Sequence, residues 1–154
     1  MGAFDGYDVD NAKPGASKDY LKPGTHYALI RNMKTDKRFS DDAQYFLAEF
    51  DVLKSSNEEQ GATGSWCPLL RKDTPAIGDV RSLIASCYGA PIEQVNAAAL
   101  NLAVDAKQPC KGKPVRIDVK PGKTKKGNDF SYHSFSPWSP TAEELAQLKA
   151  AKGL

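Results

Sequence analysis

Two stretches of the chain alternate apolar and polar residues with a period of two. In Gln44–Leu53, Phe46, Ala48, Phe50 and Val52 share one parity while Glu49 and Asp51 share the other, the mark of a strand with one dry and one wet face. Lys113–Lys120 repeats the pattern: Val115, Ile117 and Val119 point inward, Arg116 and Lys120 outward. His26–Thr35 carries apolar residues at both parities, as expected of a long, curved strand shared between two layers of a small barrel. Gly64–Leu70 reads as a shorter third strand, and Pro68, which cannot donate to a ladder, places it at an edge or a bulge. Pro121-Gly122 ends the fourth run. A lysine loop and Gly127-Asn128 then turn the chain into Phe130–Trp138, a last strand with rings at both parities.

Between the third and fourth strands the period changes. Thr74-Pro75 predicts a capped helix start, and Ile77, Val80, Ile84 and Cys87 follow helical spacing up to Gly89. Pro91 restarts the pattern with Ile92, Val95, Ala99 and Leu102 on one stripe. Near the end, Thr141-Ala142-Glu143-Glu144 is a capping box opening a helix to about Lys152, with Leu145 and Leu148 to pack it. Residues 1–23 are rich in Gly, Asp, Asn, Lys and Pro and show no periodicity, which predicts a flexible arm. The expected division is therefore an arm over 1–23, a domain over 24–138 and a C-terminal helix over 139–154. Three strands, a helical segment and two strands predict a mainly β fold. Specifically, they match the order of the five-stranded Greek-key barrel of the oligonucleotide-binding (OB) fold, with a helical insertion between strands 3 and 4 and a short C-terminal helix.

Composition narrows the class. The 154 residues suit one domain, and the net charge of +2 says little about partners. Its distribution says more: Lys107, Lys111, Lys113, Arg116, Lys120, Lys123, Lys125 and Lys126 are opposed in their segment only by Asp118. That asymmetry points to a polyanion partner, although a merely solvated lysine loop gives the same pattern. Cys67, Cys87 and Cys110 lack paired spacing, and only His26 and His133 could join them, so no metal and no cofactor is expected. Neither a secretory leader nor a long apolar run is present, which predicts a soluble protein of a reducing cytoplasm that stays off membranes. Without a P-loop, paired metal carboxylates or a nucleophile elbow, the expectation is that the chain is not an enzyme.

In a barrel of this kind the ligand crosses strands 2 and 3 between the loop joining strands 1 and 2 and the loop joining strands 4 and 5. Here the first loop holds Lys37, Arg38 and Phe39, and the second Lys123, Lys125 and Lys126. Binding a strand without reading its sequence needs cations along the backbone and flat rings on which any base can stack. The candidate cations are Arg31, Lys37, Arg38, Arg71, Lys113, Arg116, Lys120, Lys123, Lys125 and Lys126. Tyr27, Tyr45, Trp66, Tyr132 and Phe135 are the candidate rings, with Trp66 equally readable as a barrel plug. Phe46, Phe50 and Phe130 are assigned to the core, and His133 to the polar surface.

Three segments carry a resemblance. They are Tyr20-Leu21-Lys22-Pro23-Gly24; Phe46 to Asn57 leading to Gly64-Ser65-Trp66; and Gly112-Lys113-Pro114-Val115 leading to Lys125-Lys126-Gly127-Asn128-Asp129-Phe130. Over residues 20–138 the chain resembles bacteriophage-encoded single-stranded DNA-binding proteins of the OB-fold class. The resemblance implies a protein that coats exposed single strands during phage DNA replication or recombination in the cytoplasm of the infected bacterial host. Its partners would be single-stranded DNA, phage replication proteins and further copies of itself. The chain departs from the bacterial housekeeping type in lacking an acidic, Phe-ended tail; Lys149 and Lys152 stand there instead. Two other readings remain open, a structural or assembly protein of a virion using the same barrel for protein contacts, and an RNA-binding module.

Overall fold

The computed structural model describes residues 20–38, 42–72, 74–123 and 125–154. Five strands, β1 (Gly24–Lys37), β2 (Gln44–Ser55), β3 (Thr63–Trp66), β4 (Pro114–Lys123) and β5 (Asp129–Pro137), form one antiparallel sheet in the order β3-β2-β1-β4-β5. Helices α1 (Ala76–Tyr88) and α2 (Ala97–Ala103), with a 3-10 turn at Ile92–Gln94, follow β3, and α3 (Ala142–Ala151) follows β5. The fold is mainly β, with an open five-stranded sheet and three α-helices.

The mixed apolar pattern of β1 is resolved by two register slips against β2, between Tyr27 and Ala28 and between Ile30 and Asn32. The first leaves Leu53 of β2 without an opposite residue and the second Arg31 of β1, and an extra residue of this kind bends its own strand and increases the local twist. The bend carries Ala28, Ile30 and Met33 into the main core, while Leu29 is buried outside that cluster, as is Leu53 of β2. On the core side Phe46, Phe50, Val115, Ile117 and Val119 share one cluster with Val80, Leu83 and Ile84 of α1. The curl brings the two outermost strands together through side chains: Trp66 of β3 lies 4.7 Å from the Phe135 ring of β5, and its edge meets Phe46 at 5.8 Å.

Several boundaries differ from the sequence pattern. β3 stops at Trp66, and beyond it only Leu69 bridges, to Tyr45. β4 continues through Pro121-Gly122 to Lys123 instead of ending there. It can do so because it has already outrun β1, whose first residue Gly24 lies opposite Val119, and proline is tolerated on an edge that lacks a neighbour. α1 starts after Pro75, which offers no side-chain cap of its own, while the Thr74 hydroxyl accepts from the Ala76 N–H at 3.4 Å; Gly89 closes the helix in the left-handed conformation at φ 61°. The second helical stripe is broken: Val95 and Ala103 are buried, whereas Ile92 and Leu102 face solvent. α3 opens as the capping box requires, Thr141 Oγ1 accepting from the Glu144 N–H at 3.1 Å. Residues 1–19 of the expected arm lie outside the described residues, but its last part is tied to the body, with Leu21 buried and Tyr20 bridged to Ser65.

Candidate nucleic-acid interface

The β4–β5 ribbon builds a face from its outward residues. Register places Arg116 opposite Ser136, Asp118 opposite Ser134, Lys120 opposite Tyr132 and Gly122 opposite Phe130. Because successive residues of a strand point to opposite sides, His133 and Phe135 turn inward toward Val119 and Ile117. Phe130 and Tyr132 are 49% and 51% exposed and meet edge to face at 4.9 Å. The Tyr132 ring covers the backbone of Gly122, occupying the space a side chain there would need. Lys120, Lys125 and Lys126 are exposed around the pair, while Lys123 is bonded to Asp129 at 3.0 Å.

Lower on the same face, Arg116 reaches both oxygens of Asp118, at 3.2 and 3.3 Å, and Asp118 also accepts from Thr25 Oγ1 at 2.7 Å. The Thr25 hydroxyl, followed by Arg116, holds the Asp118 carboxyl below the usual range; the same pairing pushes the Arg116 guanidinium up. One of the face's cations is therefore already matched by an anion. Arg116 also approaches the Tyr27 ring, 5.9 Å from its centroid, as do Lys54 at 5.6 Å and the Trp138 ring at 5.2 Å.

Two of the expected stacking rings are indoors. Trp66 is 7% and Phe135 9% exposed, and each covers the other in the core. Rings packed against each other in the core cannot also receive bases. Conversely, Phe130, assigned to the core from its apolarity, stands outside because it shares the parity of Tyr132. His133 is half-buried on the inward side, its ring 5.9 Å from Trp66, and burial, mainly, depresses its imidazole to about 4, so it is neutral at pH 7.

The remaining predicted residues are dispersed. Lys37, Arg38 and Tyr45 line a recess of about 460 Å³, but Asp36 and Asp42 line it too. That recess sits at the C-terminal end of β1, where Lys37 faces Gln44, whereas the ribbon extends past its N-terminal end. Phe39 lies outside the described residues. Arg31 is 3.9 Å from Asp51, Lys113 stands over the Tyr88 ring at 4.7 Å, and Arg71 is exposed beyond β3. The outward positions of β2 and β3 carry Glu49 and Asp51 opposite Ser65 and Thr63, an acidic rather than basic surface. Of the predicted set the structure gathers Arg116, Lys120, Lys125, Lys126 and Tyr132, whereas Lys123 has the parity of Val119 and is paired with Asp129; the face adds Phe130, Gly122, Lys54 and Trp138.

Among the described residues no group of three or more His, Cys, Asp or Glu side chains is placed to hold a metal ion, and no helix is long and apolar enough to cross a membrane. Comparison with protein-family models and with curated proteins finds no match to this chain.

Proposed function

We propose that this protein binds single-stranded DNA without reading its sequence, on the outward face of the β4–β5 ribbon. The observation that carries the reading is the exposed Phe130–Tyr132 pair, set among Lys120, Lys125 and Lys126. Large rings left in water on a strand are costly unless something covers them. A base plane can, at about 1–3 kcal/mol per stack, while the lysines follow the phosphates and release their counterions.

The strand order supports an OB-type barrel as the scaffold. In β3-β2-β1-β4 the fourth strand returns beside the first, which is the Greek-key arrangement, and the β3–β5 ring contact draws the sheet toward closure. Such barrels commonly use the outer face of strands 2 and 3. Here Glu49 and Asp51 make that face repel phosphate, so the ligand is assigned to the neighbouring ribbon. The resemblance to phage single-stranded DNA-binding proteins favours DNA made accessible in replication or recombination, a role that asks for no catalysis.

The test is titration with oligothymidine at two salt concentrations. Wild type should bind with an affinity that falls as salt rises, and Phe130→Ala/Tyr132→Ala should weaken it at least tenfold. Lys125→Ala/Lys126→Ala should lower the salt slope by about 1.4, at roughly 0.7 per phosphate contact on a single strand. Both variants should keep the wild-type melting temperature. Undiminished binding by the ring variant would remove the ribbon from the site.

A further inference from the structure

We infer that Tyr27 of β1 is a second base-stacking position, so that a single strand held at Phe130 and Tyr132 runs across the sheet from β5 over β4 to β1 and finishes against Lys54 of β2. The inference rests on the ribbon reading above and adds a direction and a length to it. Register fixes the geometry: Tyr27 lies opposite Arg116 on one side and Lys54 on the other, and Lys120 opposite Tyr132. Residues 116 and 120 share a face of β4, so Tyr27, Lys120 and Tyr132 all look outward from the same side of the sheet.

The surroundings of Tyr27 repeat those of the ribbon pair. A second ring, Trp138, is tilted at 59° against it with centroids 5.2 Å apart, and two cations, Lys54 and Arg116, stand within 6 Å of its centroid. The half-buried ring, braced on one side by Trp138, offers a plane for a base, and Lys54 offers charge for the phosphate, since Arg116 is engaged by Asp118. Tyr27 is half-buried and lies outside the main core cluster.

The spacing suits a polymer. From Tyr132 to Tyr27 the path crosses two strand intervals, about 10 Å, and four residues along β4, about 13 Å, for a separation of roughly 16 Å. That is about five nucleotides at the 3.4 Å rise of a stacked strand and fewer if the strand is stretched, which lies within the span a single barrel of this type occupies. A trinucleotide therefore reaches one position and a decanucleotide both.

The experiment pairs ligand length with cross-linking. Tyr27→Leu should weaken binding of a thymidine decanucleotide about tenfold and leave a trinucleotide unaffected, while Tyr27→Phe, which keeps the ring, should bind both as wild type does. Decanucleotides carrying 5-iododeoxyuridine should photocross-link to Tyr27 or Trp138 as well as to the Phe130–Tyr132 segment. Equal effects of Tyr27→Leu on the two lengths, or cross-links confined to residues 129–132, would overturn the second position and leave the first standing. Cross-links at neither place would remove both.

Discussion

The ring of Tyr132 occupies the place where Gly122, one strand over, would otherwise carry a side chain. Glycine weakens a strand, and covering it with a cross-strand aromatic ring restores contacts. The same contact holds the ring in one orientation, half exposed beside Phe130. Gly122→Ala should displace the ring while leaving the core untouched. We expect oligothymidine affinity to drop several-fold with a change in melting temperature of a few degrees at most. Unchanged affinity would show that the ring's seat does not matter for binding.

Asp118 is the single acid between Arg116 and Lys120 on the outward row of β4, and it is fixed by Thr25 and Arg116. It opposes phosphate and engages the guanidinium that could meet one. Asp118→Asn keeps an oxygen for Thr25 but removes the charge. Binding should become two- to five-fold tighter at low salt, with the salt slope steeper by about 0.7 as Arg116 takes up a phosphate. Weaker or unaltered binding would mean the strand does not pass over this row.

His133 gives the fold a pH dependence of its own. Burial, with a smaller push from His26, lowers its imidazole from 6.5 to about 4. The unfolded chain therefore binds the proton first, and stability must fall as pH falls from 6.5 toward 4, by up to about 3 kcal/mol. Above pH 6.5 the contribution is complete. Urea midpoints measured at pH 7 and pH 5 should differ more in wild type than in His133→Gln, and equal differences would refute the assignment.

Much of this was legible beforehand. Alternation identified the dry faces of β2 and β4, and the Thr141–Glu144 box marked the start of α3. The sequence reading puts Phe130 in the core and Phe135 among the stacking rings, and strand parity reverses both: Phe130 shares its face with Tyr132, Phe135 with His133. Trp66 was not decidable in this way, since a ring on an edge strand can close a barrel or face a ligand. Its partner in that choice, Phe135, lies 69 residues later in the chain.

By itself the sequence determined the order of elements, the parity of β2 and β4 and the clustering of lysines between residues 107 and 126, because these are local properties of the chain. Tertiary structure decided which rings meet water, that Arg116 answers to Asp118 and Thr25, and that Tyr27 stands beside Lys54 and Trp138. Those relations depend on two bulges in the β1–β2 pairing and on how far the sheet curls, and strand curvature is set by packing between segments distant in sequence rather than by any residue alone.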